Sequence, residues 1–391
     1  MTYADALDWL YAQTRAGGRC HPGRAARLLG ELSLEPPPHL VRVVGTNGKG
    51  TVSHLIATGL SAAGRRTGLF LSPHVESFDE RVSVDGARVT PAEVAAFVAR
   101  ARTALDRYAP DGDARPAFFE LTLALALDAF ARRGADWAVL EAGVGGASDA
   151  TTAAAPPGRV RLVVLTNVDL DHVETIGPGL QDIAREKAAA FAPGVPAVTA
   201  ANGAALDVVR AVAAERGAVL HEVEPLRPGE STRAANERLA DRALELLGVP
   251  AAARAAALAA PPLPGRGERF MFDAREVVLD GAHDPAAAAR LGQEVGEGFT
   301  LLFGALPRKQ GSATLAVLEP RSSAVVVTEA SPGEGADHLA GDGREVVADP
   351  AAALRRALDL TPEGGRVVVA GSLYLAGRLR PLLDSPAAWS R

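Results

Sequence analysis

The chain has 391 residues, 48% of them hydrophobic and 23% charged, a length and balance that suit a globular protein of two domains with separate cores. A formal charge of −6 offers no basic face for a phosphodiester backbone, so nucleic acid is not an expected partner. Cys20 is the only cysteine, which excludes an intrachain disulfide framework and a cysteine-rich metal site.

The first 19 residues alternate polar and apolar types and contain Asp5 and Asp8, with no apolar h-region of a signal peptide. No window reaches the run of about 18 apolar residues that spans a bilayer. The expectation is a cytoplasmic protein with no membrane partner. Next comes the most informative stretch: an apolar run at 40–44, the turn Gly45-Thr46-Asn47-Gly48-Lys49-Gly50-Thr51, and a helical pattern over 52–63. Small residues let backbone N–H groups close on an anion at the positive end of a helix. Lys49 is placed to neutralise β/γ-phosphates and Thr51 to ligate the accompanying Mg²⁺. Val43 stands where the usual motif has glycine, and Gly50 separates the lysine from the hydroxyl, so this is a P-loop variant.

Strand-like runs follow at 137–141, 161–166, 195–199, 276–280, 300–303, 324–328 and 366–370. They are near-continuously apolar and β-branched rather than alternating, as expected of parallel strands covered on both faces. Helical patterns at 118–132, 179–191, 206–216, 234–247, 285–297 and 350–360 lie between them, which argues an open, doubly wound α/β architecture. An alanine-rich stretch gives way at Pro261-Pro262-Leu263-Pro264-Gly265-Arg266-Gly267 to a breaker cluster, after which the βα rhythm restarts. The prediction is a P-loop NTPase-like parallel-sheet domain over 1–262 and a smaller Rossmann-like α/β domain over 263–391.

Several polar residues end these strands. Glu141 closes 137–141 and is followed by Gly143-Val144-Gly145-Gly146, at the sheet edge where open α/β folds bind ligands; it is either a Mg²⁺ ligand or a solvated strand end. His172 ends the next strand beside Asp169 and Asp171 and is a ligand candidate for the same edge. Lys187 shares a helix face with Ile183 and Phe191; from spacing alone it reads as a surface lysine snorkelling from a half-buried helix. Ser72-Pro73-His74 is a loop with turn chemistry, and the residues after it suggest a hairpin. Asp280 and His283, after the strand 276–280, suit ribose and base contacts equally with an N-capped βα turn.

In this order the pieces resemble the bacterial dihydrofolate synthase/folylpolyglutamate synthase family of the Mur ligase superfamily. The resemblance rests on GTNGKGT at 45–51, SPHVESFDERV at 72–82, FFELT at 118–122, EAGVGGASDAT at 141–151, TNVDLDH at 166–172 and IAREKAAAFAPGVP at 183–196. In the second domain it rests on PGR at 264–266, LDGAHDP at 279–285, FGALPRK at 303–309 and AGSLYLAG at 370–377. It implies that Asn47, Gly48, Lys49, Gly50 and Thr51 hold the ATP phosphates and that Thr51, Ser72, Glu141 and His172 serve two Mg²⁺ sites. Lys187 becomes a carbamylated lysine that helps place the second metal, which reverses the reading from spacing. Asn236, Arg266, Asp280 and His283 complete the ATP site, while Phe119, Glu120, Ser148 and Asp149 lie near the pterin-bearing substrate. Lys49, His172 and Lys187 are the catalytic residues so implied, the substrates are dihydropteroate or reduced folate, L-glutamate and ATP, and the expected state is a monomer.

The chain departs from the family pattern in places. Ala147-Ser148-Asp149-Ala150-Thr151-Thr152 replaces the usual Arg-Leu-Asp-Ala-Thr-Asn, the 199–231 segment is short, and Asp284 stands where asparagine is usual. A Mur-type ligase for another carboxylate and a non-catalytic nucleotide-binding paralogue are the competing readings. The loops at 72–82 and 118–122 argue against the first, and intact Lys49, Glu141, His172 and Lys187 against the second.

Overall fold

The computed structural model describes residues 1–16, 21–108, 114–170, 176–227, 229–307 and 310–384. Two units emerge: Met1–His74 with Phe78–Leu226 and Arg233–Ala260, and Val75–Ser77 with Arg227–Thr232 and Pro261–Arg391. The composition break at 261–267 gives no hint that the short pieces Val75–Ser77 and Arg227–Thr232 group with the second unit.

In chain order the first unit contains α1 (Tyr3–Ala16), α2 (Pro22–Glu31), β1 (His39–Val44), α3 (Lys49–Ala62), β2 (Thr67–Phe70), β3 (Val82–Val84), β4 (Ala87–Arg88), α4 (Pro91–Tyr108) and α5 (Phe118–Arg132). It continues with β5 (Trp137–Glu141), β6 (Val160–Leu165), α6 (Leu180–Ala188), β7 (Pro196–Thr199), α7 (Gly203–Arg216), β8 (Val219–Glu222), α8 (Thr232–Leu246) and α9 (Ala251–Leu258). Its sheet runs β4-β3-β2-β5-β1-β6-β7-β8, parallel from β2 to β8, with β3 and β4 added antiparallel at one edge. β1 sits between β5 and β6, so the chain leaves it toward one side and later returns on the other. That reversal opens a crevice at the C-terminal ends of the strands. Leu40, Val41, Val43 and Val44 are fully buried, as a run that is apolar apart from Arg42 anticipates for a strand covered on both faces.

The second unit adds β9 (Arg266–Phe272), β10 (Arg275–Asp280), α10 (Pro285–Val295), β11 (Phe299–Phe303), α11 (Gly311–Leu318), β12 (Ser322–Val327), β13 (Arg344–Val346), α12 (Pro350–Leu360), β14 (Arg366–Ala370) and α13 (Leu373–Asp384). Its sheet, ordered β13-β12-β11-β14-β10-β9, is parallel except for the antiparallel β9. α10 and α12 begin alike: Asp284 and Asp349 accept from the amides of Ala287 and Ala352, and a proline occupies the first turn of each. A capping carboxylate there satisfies an orphan amide and complements the helix dipole. Among the described residues no helix is long and apolar enough to cross a membrane.

Helices α1, α2, α4 and α11, the edge strand β8 and the antiparallel β9 were not among the elements expected. α1 is short of a clear apolar stripe, and β8 is a half-exposed edge strand of four residues, so neither leaves a strong periodic trace. Glycine shapes the packing at Gly68 in β2, where a Cβ would run into the ring of the fully buried Phe130. Gly68→Ala should therefore lower stability by about 1–3 kcal/mol through overpacking. A denaturant midpoint for the first unit equal to that of the unaltered chain would refute this packing argument.

Candidate active site

The turn after β1 takes its shape from two glycines in backbone conformations closed to other residues. Gly45 has φ 143°, and a Cβ there would collide with Thr166 Oγ1; Gly48 has φ 79°, and a Cβ there would collide with the Asn236 side chain. The end of β6 fastens the turn from the side. Asn167 accepts from the amides of Thr46 (3.0 Å) and Asn47 (2.8 Å), and Thr166 Oγ1 donates to Asn47 O at 2.7 Å. Asn47 Nδ2 and Asn167 Nδ2 both donate to Asp169 Oδ2. Gly50 and Thr51 lie in the first turn of α3, whose amides have no intrahelical acceptor and point their partial positive charge outward. Asn236, carried by α8, thus reaches the P-loop within the first unit.

Two lysines converge on this turn. Lys49 Nζ donates to Gly45 O (3.2 Å) and Thr46 O (2.9 Å), and Lys187 Nζ donates to Gly45 O at 2.7 Å. Lys187 is only 1% exposed, which overturns the snorkelling surface lysine read from helical spacing. Periodicity placed it correctly beside Ile183 but could not tell that the face of α6 it occupies is covered by the P-loop strand.

Glu141 ends β5 and is 3% exposed, so the solvated strand end is not what forms. Its register partner on β1 is Val43, two residues before the P-loop glycine, and its Oε2 accepts from the Ser72 amide at 2.8 Å. Ser72 follows β2, which pairs with β5, so Ser72, Glu141 and the P-loop share the C-terminal edge of neighbouring strands. Thr51, Ser72 and Glu141 offer the hard oxygen donors that a divalent cation beside phosphate takes. His172 lies outside the described residues.

The residues expected near an acceptor substrate divide. Phe119 packs its ring against Gly143, where a Cβ would come within 2.9 Å, and lies 5.4 Å from the Phe70 ring. Glu120 is fully buried and accepts from the His21 amide (2.7 Å), Arg24 Nε (3.1 Å) and the Ala117 amide (2.6 Å). Its carboxylate therefore closes the start of α5 and anchors the start of α2, with both oxygens engaged by protein donors. Asp149 is 1% exposed and accepts from the amides of Gly143, Val144 and Thr151 and from Thr151 Oγ1, which makes it the organiser of its own turn. Ser148 is exposed and bonds Glu186 Oε1 through both amide and hydroxyl, at 2.8 and 2.6 Å. Arg42 and Glu186, which hold this turn, were not singled out; a lone arginine in an apolar strand was the available signal.

In the second unit Arg266 and Asp280 are register partners on β9 and β10. Asp280 accepts from the Ala282 amide at 2.8 Å, and burial pushes its carboxyl up to about 6 although Arg266 acts in the opposite sense. His283 Nδ1 donates to Gly281 O at 2.9 Å. Asp284 caps α10, so its charge is matched by a helix start. Because the folded unit holds the Asp280 proton above its ordinary value of 3.8, the stability it contributes is complete below that pH and lost as pH rises through about 6. Asp280→Asn should flatten the fall in the second unit's denaturant midpoint between pH 4 and 7, as expected from that linkage. An unchanged pH slope in the variant would show that Asp280 is not its source.

Comparison with known proteins places this geometry. A model of the Mur ligase middle domain matches residues 43–216. A probable bifunctional folylpolyglutamate synthase/dihydropteroate synthase of Haloferax volcanii is 32% identical over 97% of this chain and 50% of its own length. The dihydrofolate synthase/folylpolyglutamate synthase of Mycobacterium tuberculosis is 31% identical over 74% of this chain and 69% of its own length. The chain spans about half the length of the first curated relatives it matches. Escherichia coli FolC in complex with DHPP and ADP superposes with a TM-score of 0.84 at 26% identity, covering 99% of each chain. A bifunctional folylpolyglutamate synthase/dihydrofolate synthase with Mn, AMPPNP and L-glutamate bound gives 0.82 at 28% identity over 98% of each chain.

Proposed function

Because the chain belongs to the dihydrofolate synthase/folylpolyglutamate synthase family of Mur ligases, we propose that it is an ATP-dependent ligase joining L-glutamate to dihydropteroate, to reduced folates, or to both. The observation that carries this reading is the meeting of Lys49 and Lys187 at Gly45 O, with buried Glu141 at the neighbouring strand end. That arrangement sets the Lys49 cation where a triphosphate's terminal phosphates belong and carries an oxygen donor where their counter-ion belongs, with Lys187 beside both.

In the proposed reaction an acceptor carboxylate oxygen attacks the γ-phosphorus and the bond to the β-bridging oxygen breaks, giving an acyl phosphate and ADP. The α-amine of glutamate then adds to the acyl carbon, loses a proton, and the tetrahedral intermediate expels phosphate as the amide forms. Lys49, held by the loop carbonyls of Gly45 and Thr46, would place its charge beside the phosphates as negative charge moves from the γ-phosphoryl group to ADP. A divalent cation, when bound, supplies further neutralisation of the phosphate oxygens, and Thr51, Ser72 and Glu141 would hold it, with His172 and a carbamylated Lys187 serving a second. Arg266, Asp280 and His283 are proposed for the nucleoside end of ATP, and Phe119 for the pterin face.

The deciding measurement is phosphate release from ATP with glutamate plus dihydropteroate and, in parallel, glutamate plus a reduced folate. Release dependent on neither acceptor would defeat the ligase reading and favour a non-catalytic nucleotide-binding protein. Lys49→Ala should abolish turnover while leaving the circular dichroism spectrum unchanged. Lys187→Ala should lose most activity and regain part of it with added formate or acetate, which replace the missing carboxylate-like group. No regain at any concentration would remove the carbamate from the scheme.

A further inference from the structure

Arg42 is the only charged residue of the 40–44 run, it lies on the central strand β1, and it is 4% exposed. A guanidinium in such a place needs compensation, because removing charge from water is costly unless hydrogen bonds and an opposite charge replace the solvent. Its Nη2 donates to Gly146 O at 2.9 Å, Thr152 Oγ1 at 3.0 Å and Thr151 Oγ1 at 3.3 Å. Thr151 Oγ1 in turn donates to Asp149 Oδ1 at 2.5 Å, so a hydroxyl relays the buried cation to the buried carboxylate. All of these acceptors belong to the 143–152 turn, whose own position 147 is alanine.

Gly146 is held at both ends of its backbone. Its carbonyl is gripped by Arg42 from β1, and its amide donates to Glu186 Oε1 of α6 at 3.2 Å. There is no room for a side chain between: a Cβ on Gly146 would lie 2.6 Å from Lys187 O. The turn is thereby pinned to the strand that leads into the P-loop and to the helix that carries Lys187.

We propose that Arg42 is a positioning residue for the acceptor carboxylate, setting the distance between the 143–152 turn and the phosphate cradle by gripping Gly146 from β1. The inference rests on the ligase reading of the site, since only an in-line attack on phosphorus makes that distance matter to turnover. Loss of the grip should weaken acceptor use and leave nucleotide binding alone, because among the described residues the Arg42 side chain donates its hydrogen bonds to the 143–152 turn.

The test is Arg42→Met in the full chain, with hydrogen exchange at the amides of Gly143, Val144, Gly146 and Ser148, and with KM for each substrate. The expected result is faster exchange at those four amides and a rise of about tenfold or more in acceptor KM, with the KM for ATP within about twofold of its original value. Unchanged exchange, or equal weakening of acceptor and ATP, overturns the proposal. Should the methionine variant not fold, Arg42→Lys keeps the charge opposite Asp149 but ends in a point donor that stops short of Gly146. It should fold and still show faster exchange and a raised acceptor KM; wild-type behaviour in both would mean that Arg42 only balances charge. If the unaltered protein uses neither acceptor, the ligase reading fails on its own, while the exchange comparison, which needs no substrate, still decides whether Arg42 holds the turn.

Discussion

The carbonyl oxygen of Gly45 receives two ammonium groups, one from the helix that follows it and one from a helix more than a hundred residues further on. Glycine is required at that point because the backbone is in a positive-φ conformation against Thr166, and the oxygen is available because β1 has just ended. A parallel sheet delivers all its strand ends to one edge, so β1, β5 and β6 bring Gly45, Glu141 and Asn167 together although the sequence scatters them. The remaining features of the first unit's site depend on that edge being held still.

Buried polar groups do the holding, each in a different way. Glu120 fastens α5 to the start of α2, Asp149 winds the 143–152 turn around one carboxylate, and Asn167 braces the P-loop from β6. A buried polar group left without partners would be costly, so these networks specify one arrangement of loops that apolar packing alone would leave free. Glu120 and Asp149 sit in segments that resemble the family motifs, yet their oxygens face the protein. A motif residue can thus serve the fold by shaping its own loop.

Much of the architecture was legible because parallel strands buried on both faces write themselves as near-continuously apolar runs: 40–44, 137–141 and 366–370 became β1, β5 and β14 with boundaries shifted by at most one residue. α1 and β8 were not legible, since an edge strand and a helix with mixed faces lack that periodic trace. Lys187 shows the limit most plainly. The same spacing that suggested a half-buried helix face is compatible with a lysine reaching solvent or reaching into the protein, and the choice belongs to whatever covers the face.

By itself the sequence determined the P-loop variant, the βα alternation and the family, because glycine positions, apolar periodicity and ordered motifs are local properties of the chain. Tertiary structure alone decided which polar residues are exposed to a ligand and which are consumed by the fold. Arg42, Glu120 and Lys187 find their hydrogen-bond partners in segments distant in sequence, and the partner that satisfies a buried charge is a matter of geometry in space, to which spacing along the chain gives no access.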